Sequence, residues 1–146
     1  MMAFRELCRG GRRWVLAAGA CLVAGVLVSG CAIVPSGPPE EVVKERASKR
    51  WKALIAGDFS AAYDDALPAN RKAKSREEFV FKHRGGGVVT WLSANVVAVK
   101  CEQSRCKTTT ELTSKPLIPG FRGTLKQGIE ETWVFEDGRW WFAEPL

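Results

Sequence analysis

Apolar residues change their spacing along this chain, and each change predicts an element. A nearly continuous apolar run from Trp14 to Val28 gives way to a proline-rich gap. Then come Val43, Ala47, Trp51, Leu54 and Ile55, whose steps of three and four residues predict one face of a helix opening at Glu40. Acids at its start (Glu40, Glu41, Glu45) and bases further on (Lys44, Arg46, Lys49, Arg50, Lys52) suit the helix dipole and a solvated surface. Gly57 reads as the residue that ends this helix and Asp58 as the N-cap of a shorter one, Phe59 to Leu67, ended by Pro68. Ser75 and Glu78 stand three apart, as in a capping box, and announce a third helix through Phe79 and Phe81 that the glycines at 85–87 break.

From Val88 the pattern becomes that of strands. Val88 to Lys100 is rich in β-branched residues, with a bend or bulge expected at Ser93-Ala94-Asn95. Cys101 and Cys106 flank Glu102 to Arg105, so a hairpin places the two cysteines opposite each other. Continuing that register pairs Val99 with Thr108 and Val97 with Thr110, and turns Lys100 and Lys107 to the other face. Ser114 to Gly128, with its prolines and glycines, predicts a long loop or irregular edge whose Leu117, Ile118 and Phe121 offer a contact surface. Asp137-Gly138 is a two-residue hairpin turn that pairs Phe135 with Trp140, Val134 with Trp141 and Trp133 with Phe142. Trp133, Phe135, Trp140 and Phe142 then share one face, read as core rather than as a ligand cradle. Helices followed by an antiparallel sheet predict an α+β fold with the helices on one face.

Charge changes the reading of the first residues. The chain carries a formal +6, and residues 1–30, with Arg5, Arg9, Arg12 and Arg13 against Glu6, hold half of it. The remainder of the chain is only mildly basic, and together with the lack of a binding motif this speaks against nucleic acid. A basic start, a short apolar run and small residues beyond it mark an export signal; the run is too short and glycine-rich to span a membrane comfortably. Val28-Ser29-Gly30-Cys31 at its end resembles the lipobox of bacterial lipoproteins. The resemblance implies cleavage before Cys31, a diacylglyceryl group on its thiol, acylation (palmitate) of the freed amine, and a stable lipid anchor from two or three chains. Ala32, where an Asp would imply inner-membrane retention, points to the outer membrane and the periplasm. The alternatives are an ordinary signal peptide or an uncleaved anchor; Arg12-Arg13 also resembles a weak twin-arginine signal, and general secretory export is preferred. The chain thus divides into a signal peptide (1–30), a lipidated tether (31–39) stiffened by Pro35, Pro38 and Pro39, and one domain (40–146).

Cysteine usage fits the same compartment. With Cys8 and Cys21 in the signal and Cys31 taken by lipid, Cys101 and Cys106 are left as an even pair expected to be bridged. Two cysteines and the single histidine, His83, cannot complete a tetrahedral zinc site, and no phosphate loop or nucleophile motif is present, so neither metal nor cofactor is expected.

Trp51 through Tyr63, then Ser75-Arg76-Glu77-Glu78-Phe79, and Glu136 through Trp141 resemble the nuclear transport factor two-like, cystatin-like cone fold. The resemblance implies a curved sheet wrapped round a long helix, a conical pocket, and dimerisation through the sheet in some members; monomer and homodimer stay open. The fold hosts enzymes and non-catalytic modules alike. The first expectation is a binding or assembly module for a protein partner or a small apolar ligand, with Trp51, Tyr63, Trp91, Phe121, Trp133 and Trp141 as candidate contacts. The alternative is an isomerase- or dehydratase-type enzyme drawing on Tyr63, Asp64, Asp65 and His83. Tyr63 reads rather as packing with a bonded hydroxyl, and His83 as an exposed helix-terminal base. A cone filled by Trp51, Trp91, Trp133 and Phe135 would favour the module, and paired titratable groups round an enclosed space the enzyme.

Overall fold

A computed structural model of the chain describes residues 37–84 and 87–144. The lipobox with Cys31, and the tether up to residue 36, lie outside the described residues. The order of elements is α1 (Pro39–Ala56), α2 (Phe59–Tyr63), α3 (Pro68–Ala73), α4 (Arg76–Arg84), β1 (Val89–Glu102), β2 (Arg105–Pro116), β3 (Leu125–Glu136) and β4 (Arg139–Ala143). The strands form one antiparallel meander in the order β1-β2-β3-β4, and α1 packs across β1 and β2. The α+β class read from the sequence is the class observed.

α1 opens one residue earlier than the sequence predicts, with Pro39 in its first turn, where a missing N–H costs nothing. It ends as predicted. Gly57 takes the left-handed conformation (φ 76°), the Gly57 N–H donates to the Leu54 carbonyl at 3.2 Å, and the Asp58 N–H reaches back to that of Ala53 at 2.9 Å. Asp58 then caps α2 by accepting from the Ala61 N–H at 3.0 Å. The capping box is fully formed: Ser75 Oγ accepts from the Glu78 N–H at 3.2 Å and the Glu78 carboxylate from the Ser75 N–H at 2.8 Å.

The helix expected over Phe59–Leu67 is shortened, and a further helix follows where the sequence predicted none. α2 stops at Tyr63, and the backbone of 65–67 runs along β4, with the Phe142 N–H donating to the Asp65 carbonyl (2.7 Å) and the Leu67 N–H to the Phe142 carbonyl (2.8 Å). Pro68 begins α3 instead of ending α2, because proline pushes the preceding Leu67 into an extended conformation (ψ 138°) and suits a first helical turn.

Both hairpins pair as the turn residues dictate. Asp137 and Gly138 take positive φ (52° and 75°), and Trp133↔Phe142, Val134↔Trp141 and Phe135↔Trp140 oppose each other. Cys101 faces Cys106 and the two are bridged, but the turn is tighter than expected, Glu102 pairing with Arg105 round Gln103-Ser104. Val99 pairs with Thr108 as predicted; the partner of Thr110 is corrected from Val97 to Val96. The register shifts at Val97, and again at Leu92 rather than at Ser93–Asn95. Each bulge bends β1 and re-aims its side chains, so that Val96 is buried while Val97 stays exposed. The long loop expected over Ser114–Gly128 is also corrected: Ser114 already pairs with Leu125, and the irregular stretch is confined to 117–124.

The covered face of the sheet holds two apolar clusters. One joins Val43 and Ala47 of α1 to Val96, Cys106, Trp133, Trp140 and Phe142. The other joins Trp51 and Leu54 to Ala62, Tyr63, Phe79 and Leu112. Among the described residues no helix is long and apolar enough to cross a membrane.

Candidate functional site: a buried ion pair beside a small cavity

Arg50 and Trp51 lie on the buried face of α1, and Glu131 lies on β3 two residues before Trp133, pointing the same way. The elements bring them together. The Glu131 carboxylate accepts from Arg50 Nη1 at 2.6 Å through one oxygen and from Trp51 Nε1 at 2.9 Å through the other. Both charged side chains are almost sealed from water, 6% and 5% exposed. Burial therefore dominates. It raises Glu131 above its ordinary carboxyl value, against the pull of Arg50 and the hydrogen bonds from Trp51 and Arg50. Burial likewise lowers Arg50, against the attraction of Glu131 and of the more distant Asp65 and Glu144. The Arg50 guanidinium also stacks on the Phe142 ring at 3.6 Å, and its Nε has no hydrogen-bond partner.

A cavity of about 290 Å³ opens beside this pair. Arg50, Trp51 and Leu54 of α1 form one wall, Ile129 to Thr132 of β3 with Phe142 and Ala143 of β4 another, and His83 and Trp91 a third. Trp51 and Trp91 meet edge to face with centroids 5.7 Å apart. His83 stacks on Phe79 at 4.0 Å, and its Nδ1 lies 2.8 Å from the Phe79 carbonyl oxygen. A carbonyl can only accept, so Nδ1 carries the hydrogen, and in the neutral ring Nε2 holds the free lone pair. His83 is thus half-buried in an aromatic setting, not the exposed helix-terminal base that the sequence suggested.

The other candidate acids and bases are already engaged. Asp65 is buried and accepts from Arg46 Nη2 at 2.8 Å and Arg139 Nη2 at 3.0 Å. Asp64 pairs with Arg76 at 2.5 Å, and that hydrogen bond is the main cause holding its carboxyl below the ordinary range. Tyr63 is packed, with its hydroxyl within hydrogen-bond distance of the Lys74 (2.8 Å) and Arg71 (3.2 Å) carbonyl oxygens, as expected.

Of the six aromatic candidates, Trp51 and Trp91 line the cavity. Trp133 is wholly buried and available to no partner. Trp141 has the Arg139 guanidinium 4.2 Å and the Arg71 guanidinium 5.0 Å from its ring, and donates Nε1–H to the Glu136 carbonyl. Phe121 is partly exposed on the 117–124 loop. Phe135 lies at the rim, 36% exposed, and does not fill the interior. Among the described residues no group of acidic, histidine and cysteine side chains could hold a metal ion.

Sequence reasoning missed Arg50 and Glu131, yet both carry a signal. Arg50 follows Ala47 by three and precedes Leu54 by four, on the apolar stripe, and Glu131 alternates in phase with Ile129 and Trp133. Opposite charges at inward positions of two facing elements identify a buried pair.

No protein-family model matches the chain, and no curated protein does. Solved structures do. An SEC-C motif-containing protein from Psychrobacter arcticus is similar at 15% identity and TM-score 0.56, over 76% of this chain and 63% of that one. An SEC-C motif-containing protein from Rhodopseudomonas palustris is similar at 17% identity and TM-score 0.52, over 73% of this chain and 75% of that one. A protein described as an NTF2-like transpeptidase from Campylobacter jejuni is similar at 17% identity and TM-score 0.47, over 70% of this chain and 98% of that one. At these identities the likeness to the two SEC-C motif-containing proteins extends to the fold alone: helices followed by an antiparallel sheet.

Proposed function

We propose that the chain is a bacterial lipoprotein, acylated at Cys31 and held at the periplasmic face of the outer membrane, whose domain is a binding module of the nuclear transport factor two-like cone type. The cavity beside the Arg50–Glu131 pair takes a small, largely apolar ligand. The observation that carries the reading is the state of Glu131. Both its oxygens are spent on Arg50 and Trp51, so the buried acid of the cavity wall is a structural tie, not a free base, and the other acid of the wall, Glu130, is exposed to solvent. Asp64 and Asp65 are likewise spent on arginines. Trp51, Leu54, Trp91 and Ile129 supply apolar wall.

The test is a titration of the full-length exported protein with benzamide, followed by the Trp51 indole resonance. Saturable binding, lost in Trp91→Ala, and recovery of unchanged benzamide are the expected results; a flat titration overturns the small-ligand reading. A second reading, an isomerase- or dehydratase-type enzyme, draws on the free Nε2 of His83 at the cavity wall. Isotope exchange from water into a bound aromatic ketone, abolished in His83→Gln, would favour it.

A further inference from the structure

Two cavities lie side by side against α1: the one beside Arg50 and Glu131, and one of about 280 Å³ bounded by Leu54, Phe59 and Val89, where β1 begins. A third, about 310 Å³, opens at the opposite end of β1, between the first turn of α1 and the two hairpins. Val42 walls it on one side, Gln103 and Ser104 of the β1–β2 turn on another, and the facing pair Phe135 and Trp140 of β3 and β4 on the third. The Phe135 N–H donates to the Ser104 carbonyl at 2.8 Å, and the Phe135 and Trp140 rings lie tilted with centroids 5.2 Å apart, so two of the walls are tied together. Trp140 is buried, Val42 half-buried, and Phe135 open at the lip. No charged side chain lines the notch.

The chain itself leads to this notch. Gly37, the first residue the structure describes, is part of its lining. Gly37 lies back against α1: a methyl in place of its hydrogen would stand 3.7 Å from Val42 Cγ2, so the chain ahead of the helix has turned along the helix side instead of running on from its axis. Immediately before it come Ile33-Val34-Pro35-Ser36, apolar but for one hydroxyl and, like the lining, without charge. Val34 is three residues from Gly37, within about 11 Å of it even on a fully extended chain, so the segment stays near the mouth whatever its course. Covalent attachment makes its entry intramolecular, and Pro35 and Pro38 have already removed part of the freedom that docking must freeze. The acyl chains of a lipid anchor, by contrast, gain nothing by leaving the bilayer, where their methylenes are already out of water.

We propose that the tether segment Ile33-Val34-Pro35 folds back into this notch and seats its aliphatic side chains against Val42, Phe135 and Trp140. Continuity selects the occupant: the chain reaches the lip at Gly37, and the residues that precede it are apolar and uncharged. Docking leaves Ala32 alone between Cys31 and the seated segment, so a lipid on Cys31 would hold the hairpin end of the domain close to the membrane instead of letting it swing on the whole of residues 31–39. That consequence rests on acylation at Cys31; the docking itself does not.

The test is a nuclear Overhauser experiment on the full-length exported protein, methyl-labelled at isoleucine and valine and held in phosphatidylglycerol nanodiscs. Contacts from the Ile33 and Val34 methyls to the ring protons of Phe135 and Trp140 are expected, with those methyl signals displaced by the rings. Phe135→Ser should abolish the displacement, and Val34→Asp should remove the Ile33 contacts and move the Val42 methyl signals. Unchanged methyl signals of Val43 and Val96, buried in the first core cluster, show that both variants fold. Ile33 and Val34 methyls that touch only lipid or solvent overturn the proposal. Contacts from Val42 and Phe135 to acyl-chain protons make the notch a seat for lipid and overturn it too. Docking contacts on a chain whose Cys31 proves unmodified sink the lipid reading alone; a diacylglyceryl group on Cys31 without docking contacts sinks this inference alone.

Discussion

The Glu131 carboxylate meets the buried face of α1 with almost no water to share its charge, so its two donors decide how much the fold depends on it. Removing one partner of such a pair leaves the other buried and unmatched, which costs about 3–5 kcal/mol, whereas replacing both with apolar groups of similar volume is close to neutral. Glu131→Ala should therefore destabilise the domain by about 3–5 kcal/mol and Arg50→Met/Glu131→Leu by much less, as read from urea unfolding midpoints. The pH dependence derives from the raised folded-state value of Glu131. A carboxyl that holds its proton more firmly when folded adds stability that is complete below the unfolded value of about 4.3 and is lost as pH rises through the folded value. The gap between wild type and Glu131→Ala should accordingly narrow as pH rises from acid towards neutrality. Arg50 was hard to see because it sits in a run of bases along α1 that reads as solvated surface; only its phase with Ala47 and Leu54, matched to that of Glu131 on β3, separates it from Lys49 and Lys52.

Elements whose ends are fixed by local chemistry were legible from the residues alone. Gly57, Asp58, the Ser75–Glu78 box and the Asp137-Gly138 turn each stand where the sequence puts them, because the groups they satisfy lie within a few residues. Ser75→Ala should lower the stability of the domain by about 1 kcal/mol, measured by thermal unfolding. The split between α2 and α3 was not legible, since it depends on the backbone of Asp65 and Leu67 bonding to Phe142, which lies far along the chain. The β1 bulges were placed a few residues off for a similar reason: composition shows that a strand bends, but the partner strand decides where. The bridge between Cys101 and Cys106 pins the end of the β1–β2 hairpin beside the first core cluster. Closing so short a loop contributes about 2 kcal/mol, so replacing both cysteines by serine should lower the urea midpoint accordingly and leave wild type under reductant close to the variant.

At the scale of the molecule, two cavities lie side by side. They share Leu54, His83 and Trp91, so an occupant of either is expected to be felt by Trp91. The α+β architecture was readable because the hydrophobic period switches from helical to alternating near Val88. The use of the cavity was not, because it is made by residues from α1, α4, β1, β3 and β4 that meet only on folding. The account of where this domain works depends on residue 31. The direct measurement is intact-mass and N-terminal peptide mass spectrometry of the protein isolated from bacterial membranes. The account predicts a chain that begins at Cys31 and carries the added mass of a diacylglyceryl thioether with an acylated amine; an unmodified cysteine at position 31, or a chain still starting at Met1, contradicts it.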